Sequence, residues 1–126
     1  MAQTPKPQGE LVICVVATPA DTNPNGDIFG GWLVSQMDMG AGVAARRRAR
    51  CRIVTVAIDE MVFIKPVYVG DLVACYAELV HVGRSSMRFN MQTWTLGVDD
   101  DHEQVAEGIF TFVAIDEQGR PQSVDR

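Results

Sequence analysis

A carboxylate, two adjacent glycines and an asparagine lie close together in the stretch DTNPNGDIFGGWLVSQMDMG, residues 21–40. Asp38 follows Gly30 by eight residues, which is about two turns if the stretch is helical. Gly30 and Gly31 at a helix start would present backbone N–H groups without intrahelical partners, able to bind an anion or oxyanion. Asn23 adds a neutral amide that can orient a water molecule or a carbonyl group. Together these residue types fit hydrolysis of an activated acyl group.

Asp38 can also be interpreted as a structural residue. On helical spacing it shares a face with small and apolar residues, where a carboxylate has to find hydrogen-bond donors or becomes harder to ionise. The members of that face are Gly31, Val34, Ala41 and Ala45. A backbone amide or an arginine would satisfy the carboxylate without any catalysis. The helix position alone leaves both interpretations open, and the double glycine with Asn23 favours the catalytic one.

Other kinds of catalytic or metal site are poorly supported. The two histidines, His81 and His102, fall at a predicted strand end and in an acidic loop, so a Ser-His-Asp arrangement or a histidine-rich zinc site is difficult to assemble. No G-x-S-x-G, P-loop or dinucleotide-binding motif is present. Cys14, Cys51 and Cys75 lack C-x-x-C spacing, and we interpret them as buried thiols because Cys14 and Cys75 lie in apolar, strand-like runs. We expect no metal and no cofactor.

The charge balance limits the partners. A formal net charge of −5 and a pI near 4.8 argue against nucleic acid as the main partner, because phosphate binding needs a basic face. The exception is a cluster of arginines near the end of the predicted helix: Arg46, Arg47, Arg48, Arg50 and Arg52. Cations at a helix C-terminus offset the macrodipole; a site for a phosphorylated ligand is the alternative interpretation.

The sequence gives no indication of a membrane or of export. No apolar run approaches the roughly 20 residues that a membrane span needs, and residues 1–9 lack the apolar core of a signal peptide. We therefore expect a cytoplasmic protein without a membrane partner. A length of 126 residues and a hydrophobic content of 47% fit one domain over 1–126, with loose ends at 1–9 and 119–126.

The hydrophobic pattern predicts the elements that position these residues. A continuous apolar run predicts a buried strand at 10–18, and Asp, Asn, Pro and Gly then concentrate in a turn. The helix is expected from Gly31 to about Arg48, and because both of its faces are apolar or small, it should be wrapped on most sides. Four more strands are predicted at 51–65, 70–82, 84–97 and 104–115.

One strand, one long helix and four consecutive strands predict an α+β fold. The short connections between the strands can join only antiparallel neighbours. A five-stranded antiparallel sheet wrapped around one central helix covers both the helix and one face of the sheet. The edges of such a sheet remain open to a partner subunit.

Four stretches of the chain together form a distinctive pattern: DTNPNGDIFGGWLVSQMD (21–38), IVTV (53–56), FIKPVYVGD (63–71) and VGRSS (82–86). They closely resemble the YciA-type acyl-CoA thioesterases of the hotdog superfamily. The resemblance extends from about Gly9 to Gly119 and agrees with the α+β order of elements. Phe29 stands where many hotdog thioesterases have a histidine; this matches the YciA-type pattern and removes one possible side-chain donor.

The resemblance implies a hotdog fold, a homodimer assembled further into a trimer of dimers, and active sites shared between subunits. It implies hydrolysis of acyl-CoA to the free acid and coenzyme A. Asp38 of one subunit would be the nucleophile or general base, Asn23 of the other would orient the thioester or water, and the Gly31 N–H would hold the carbonyl oxygen. The substrate pocket would include Gly30, Thr55 and Phe63, although β-propensity explains Thr55 equally well.

Coenzyme A, which is part of the substrate and product rather than a cofactor, gives the basic residues a use. Arg84, Ser85 and Ser86 at a predicted hairpin offer a guanidinium and two hydroxyls to its phosphates, and Arg52 is the other candidate. An ordinary polar turn is the alternative interpretation of the hairpin. For Arg46, Arg47 and Arg48 we keep the interpretation of a solvated helix end. The alternative function is a non-catalytic acyl-CoA-binding protein of the same fold.

Overall fold

A computed structural model describes residues 6–99 and 101–126, which form five strands and one long helix. Strand β1 (Glu10–Val16) leads through a single 3-10 turn (Pro19–Asp21) to helix α1 (Gly30–Ala49). The remaining strands are β2 (Arg52–Phe63), β3 (Leu72–Val82), β4 (Ser86–Thr95) and β5 (Glu103–Ile115). All pairings are antiparallel, in the order β1-β3-β4-β5-β2. The α+β architecture is confirmed, and each predicted strand and the helix is present.

Helix α1 lies across the concave face of the sheet and touches all five strands. Met37, Ala41 and Ala45 are fully buried, and they pack against large side chains of β4 and β5 that include Met87, Met91, Phe110 and Phe112. Small residues on the helix allow this close approach. At Gly40, a Cβ atom would lie 2.7 Å from Cγ2 of Val12, so the helix rests on β1 only because that side chain is absent.

Strand β2 is an edge strand with no neighbour on its outer side among the described residues. Its pairing with β5 is irregular at two places, between Thr55 and Ala57 and between Asp59 and Val62. Glu60, within the second bulge, has a left-handed backbone with φ of 52°. The strand exposes the apolar side chains Val54, Val56, Ile58, Val62 and Phe63. A long, exposed, apolar edge is a surface that proteins normally cover.

The helix is less completely wrapped than the sequence predicts. Met39 and Val43 are 51% and 46% exposed, so the sheet of this chain covers only one side of α1. The other side of α1 is also apolar. It is suited to pack against a further surface, which a single chain does not supply.

Two sequence-based expectations differ from the structure. Cys14 is exposed, because β1 is the other edge strand and Cys14 alternates with the inward-facing Ile13 to point away from the helix. The segment 119–126, expected to be loose, packs against the body: Val124 is 3% exposed and its N–H donates to the Arg84 carbonyl at 2.8 Å. Cys75 is buried as expected, and burial raises the pKa of its thiol to about 11.

Candidate active site

Asp38 lies on α1 opposite strand β2 and is held by a single side chain. The Thr55 hydroxyl donates a hydrogen bond to Asp38 Oδ1 at 2.7 Å. Asp38 is partly buried, and within the described residues neither a backbone amide nor an arginine donates to its carboxylate. The structural interpretation of Asp38 required such a donor. One carboxylate oxygen is instead fixed by a neutral hydroxyl, and the other is available to a ligand.

Thr55 therefore has a more definite place than the sequence indicated. It pairs with Phe112 of β5 and lies just before the first bulge of β2. Since Phe112 faces the core, Thr55 faces the helix and meets Asp38. No local sequence signal connects residues 17 positions apart; only the packing of α1 on β2 brings them together.

The start of α1 leaves its first amides uncapped. Phe29, at the N-cap position, has extended backbone and provides no side-chain hydrogen bond. The Trp32 N–H donates to the Phe29 carbonyl at 3.1 Å, whereas the amides of Gly30 and Gly31 find no acceptor within 6–99 and 101–126. Free N–H groups at the positive end of a 20-residue helix are able to bind an oxyanion.

Asn23 is fixed by the turn that precedes the helix. Its side-chain carbonyl accepts hydrogen bonds from the N–H groups of Asn25 at 2.9 Å and Asp27 at 3.2 Å. The oxygen end of the amide is thereby committed to the turn. The Nδ2 group is the end that remains to donate to a ligand.

A groove of about 370 Å³ connects Asn23 with the start of the helix. Its deeper wall includes the buried residues Ile28, Leu33 and Val67. Phe63, 51% exposed, closes the groove from the end of β2. Its ring lies so close to Gly30 that a Cβ atom there would be 3.0 Å from Cζ. The hydrophobic lining residues Leu33, Ile28 and Val67 were not among the predicted site residues, because the sequence offers no means of separating them from core.

Within one chain the predicted catalytic residues form two separate groups. Asp38 and Thr55 form one, and Asn23, Gly30 and Phe63 form the other, with Gly31 beside it. Asp38 follows Gly31 on α1 by seven positions, a rise of about 10 Å. A single carbonyl group cannot bridge that distance, so the structure of one chain does not bring all of the predicted catalytic residues together.

The residues predicted to bind coenzyme A lie at the opposite end of the helix from the groove. Arg84, Ser85 and Ser86 form the β3–β4 hairpin, and the carbonyls of Arg84 and Ser85 accept from Val124 and Ala114. Arg52 begins β2 and lines a second cavity with arginines of the helix end.

No cluster of three metal-ligating side chains occurs in the described part of the chain. None of its helices is both long and apolar enough to span a membrane.

The sheet that curls around one helix, together with a carboxylate on that helix, defines a protein of the hotdog class. The family model of the thioesterase superfamily matches residues 25–99. The Escherichia coli acyl-CoA thioester hydrolase YciA is 45% identical over 122 residues, covering 94% of this chain and 92% of that protein. The chain therefore belongs to the hotdog thioesterase superfamily, in its YciA-type acyl-CoA thioester hydrolase family.

Solved structures agree with this assignment. A hexameric thioesterase from Yersinia pestis superposes with a TM-score of 0.91 at 48% identity, covering 96% of this chain and 99% of that one. An acyl-CoA hydrolase from Staphylococcus aureus, solved with butyryl coenzyme A and coenzyme A, has a TM-score of 0.84 at 32% identity. It covers 88% of this chain and 68% of that one. Structures of the S. aureus protein include variants in which an asparagine, an aspartate or a threonine is replaced by alanine.

Proposed function

We propose that this protein hydrolyses acyl-CoA thioesters to the free acid and coenzyme A, with Asp38 as general base or nucleophile. The observation that carries the proposal is the Asp38 carboxylate, held by the Thr55 hydroxyl at 2.7 Å and by no cation. An ion-paired aspartate would be structural, whereas one oriented by a neutral donor keeps its charge available for chemistry. Names of relatives at 45% identity support the same reaction.

The reaction has two forms that these residues can serve. Asp38 can attack the thioester carbonyl carbon to give a mixed anhydride and release the coenzyme A thiolate, after which water cleaves the anhydride. Alternatively, Asp38 takes a proton from water as that water attacks the same carbon. Both routes place negative charge on the carbonyl oxygen, which the free Gly31 N–H would stabilise. A carboxylate, a hydroxyl and backbone amides provide this chemistry without a metal or prosthetic group.

The two groups of catalytic residues would meet across a homodimer. Strand β2 has an open, apolar edge, and Thr55 and Phe63 lie eight positions apart on it. Antiparallel pairing of two β2 edges, centred between these positions, sets Thr55 of one copy opposite the partner subunit's Phe63. Asp38 would then face the groove of the other chain, with its Asn23 amide and helix start. The hexameric Yersinia pestis relative is compatible with a trimer of such dimers.

Coenzyme A would extend from this shared site toward the arginine-rich end of the helix. Our candidates for its phosphates remain Arg52 and the β3–β4 hairpin residues Arg84, Ser85 and Ser86, since guanidinium groups and hydroxyls bind phosphate oxygens well. The acyl group would occupy the groove between Leu33, Val67 and Phe63.

We infer a cytoplasmic location from the composition of the sequence.

The experiment that tests the reaction is thiol release from acetyl- to palmitoyl-CoA by the wild type and by Asp38→Asn. We expect the substitution to abolish turnover while acyl-CoA still binds, because only the charge of the side chain changes. Asp99→Asn, on an exposed loop, is the matched control. Full activity of Asp38→Asn would remove the proposed role. A wild type that binds acyl-CoA without hydrolysing any would establish the alternative, a non-catalytic acyl-CoA-binding protein.

A further inference from the structure

The groove at the start of α1 has two ionisable side chains among its described lining residues, Asp27 and Lys65. The other lining residues are neutral, and the buried Ile28, Leu33 and Val67 make its deeper wall apolar. An apolar groove with very few charges selects ligands strongly by their own charge, because each charge in it is unusual. The balance between these two side chains therefore decides which acyl groups the groove accepts.

The charge of Lys65 is balanced by a residue outside the groove. Lys65 Nζ lies 3.3 Å from Glu103 Oε1, and Glu103 is not one of the lining residues. Both side chains are more than half exposed, so the pair contributes little to stability. It nevertheless makes the combined charge at this side of the groove zero.

Asp27 has no such partner. Its backbone closes the turn with Asn23, since its N–H donates to Asn23 Oδ1 at 3.2 Å and its carbonyl accepts from the Asn23 N–H at 2.7 Å. Its carboxylate accepts no hydrogen bond and joins no ion pair within 6–99 and 101–126. The groove therefore keeps one unbalanced negative charge, on a side chain that is partly buried.

Stabilisation of the helix does not account for this carboxylate. The N-cap of α1 is Phe29 and the helix start has no side-chain cap, so Asp27 lies two positions before the N-cap residue. An acidic side chain stabilises a helix by capping it or by lying in its first turn, where the effect of the dipole is concentrated. Asp27 does neither.

The charge of Asp27 matters most to a ligand that carries a carboxylate of its own. The free amides of Gly30 and Gly31 attract carboxylates to the helix start, so without Asp27 the groove would also suit acyl groups that end in one. A space of about 370 Å³ has the volume of a sphere about 9 Å across, close to the Debye length of roughly 8 Å at physiological ionic strength. Two like charges in this groove are therefore incompletely screened from each other.

We propose that Asp27 is a specificity-determining residue, which makes the groove accept neutral acyl groups and reject acyl groups that end in a carboxylate. The inference rests on the proposed function, because it takes the groove as the site of the acyl group. In the proposed homodimer the partner subunit's Asp38 would add a second negative charge near the same groove. Asp38 is needed for the chemistry, whereas Asp27 is free to set the preference among substrates.

The test compares butyryl-CoA with succinyl-CoA, two thioesters with four-carbon acyl groups that differ in the terminal carboxylate. We expect the wild type to prefer butyryl-CoA, and Asp27→Asn to lower the ratio of the two kcat/KM values at least about tenfold. The ratio should fall because succinyl-CoA is hydrolysed faster, a gain that misfolding cannot produce. Asp99→Asn, which removes the same charge from an exposed loop outside the groove, is the matched control and should keep the wild-type ratio.

A second variant changes the charge of the groove without altering its lining. Glu103→Gln leaves Lys65 without its partner, so the Lys65 ammonium can offset Asp27. The ratio should again fall in favour of succinyl-CoA, and in the wild type it should also fall as the salt concentration rises. A change of groove shape at position 27 would produce neither effect.

An unchanged ratio in Asp27→Asn would overturn the proposal, as would an equal fall in Asp99→Asn or a wild type that hydrolyses both thioesters equally well. A wild type that hydrolyses neither thioester would instead reject the proposed function. Calorimetry then still tests the groove: tighter binding of succinyl-CoA by Asp27→Asn than by the wild type, with butyryl-CoA as the reference, would support the role of Asp27. Equal binding of succinyl-CoA by the two proteins would reject it.

Discussion

At the scale of single residues, the contact between Thr55 and Asp38 carries the most information about chemistry. The hydroxyl fixes one carboxylate oxygen at 2.7 Å and leaves the other free. A hydrogen bond to a charged group contributes about 1.5–3 kcal/mol. In the proposed reaction Thr55 would act on the substrate only through Asp38, as a positioning residue. Its removal should disturb the orientation of the carboxylate without removing its charge.

Thr55→Val should lower kcat about 10- to 100-fold, the range that this hydrogen-bond energy corresponds to. Valine keeps the shape of threonine and the fit of β2 beside the helix, so the melting temperature should change little. Thr55→Ser, which retains the hydroxyl, should recover most of the rate. Thr111→Val, which removes a hydroxyl at the β5 position paired with Ala57, is the control. Equal rates for the valine and serine variants at position 55 would show that the hydroxyl does not orient Asp38.

At the scale of elements, the start of α1 and the end of β2 are coupled by the contact between Gly30 and Phe63. A Cβ at Gly30 would stand 3.0 Å from the ring, which is too close unless the ring moves. Gly30 therefore allows the aromatic side chain to lie over the free amides. The position of the ring sets the width of the groove beside Asn23.

Gly30→Ala should displace the ring and lower kcat/KM about tenfold through the altered groove. Phe63→Ala should accept longer acyl chains, because it removes one wall. The double variant should behave like Phe63→Ala alone, since the clash at Gly30 is then absent. Measuring kcat/KM for acetyl- to palmitoyl-CoA in all four proteins closes the cycle. Additive losses in the double variant would show that the two residues act independently.

The elements of this fold differ in how well the local sequence predicts them. Strand and helix positions followed from apolar periodicity, and the motif around Asp38 and Gly31 indicated a candidate site, which stays a prediction. Cys14 was misplaced, because periodicity does not reveal that β1 is an edge strand. The packed segment 119–126 was missed because it is held mainly by backbone hydrogen bonds to Ala114 and Arg84 and by the buried Val124. Long-range pairing of this kind has no local signature.

At the scale of the whole molecule, one chain presents two separate groups of candidate catalytic residues and one open sheet edge. Asp38 with Thr55 lies beside β2, and Asn23 with Gly30 lies at the helix start, about 10 Å away along α1. In the homodimer that we propose, each group would be one half of a shared site, and substitutions in different halves would damage different parts of it. In a dimer with a two-fold axis, a chain altered in one half can complete the site with a chain altered in the other.

Coexpression of Asp38→Asn with Asn23→Ala should consequently restore activity. Random pairing gives mixed dimers in about half of the cases, each with one intact site of two, so about a quarter of wild-type activity is expected. Asp38→Asn coexpressed with Thr55→Val is the control. Both changes fall in the same half, so each site of a mixed dimer carries one of the two substitutions. Purification through two different tags isolates mixed dimers for the measurement.

A mixed dimer of Asp38→Asn and Thr55→Val has one site with each defect and none that is intact. Its activity should equal the mean of the two separate variants, whereas the pair of Asp38→Asn and Asn23→Ala should exceed that mean. Activity that never exceeds the mean in either pair would show that each chain holds a complete site by itself. The open β2 edge and the apolar side chains Met39 and Val43 would then need another role.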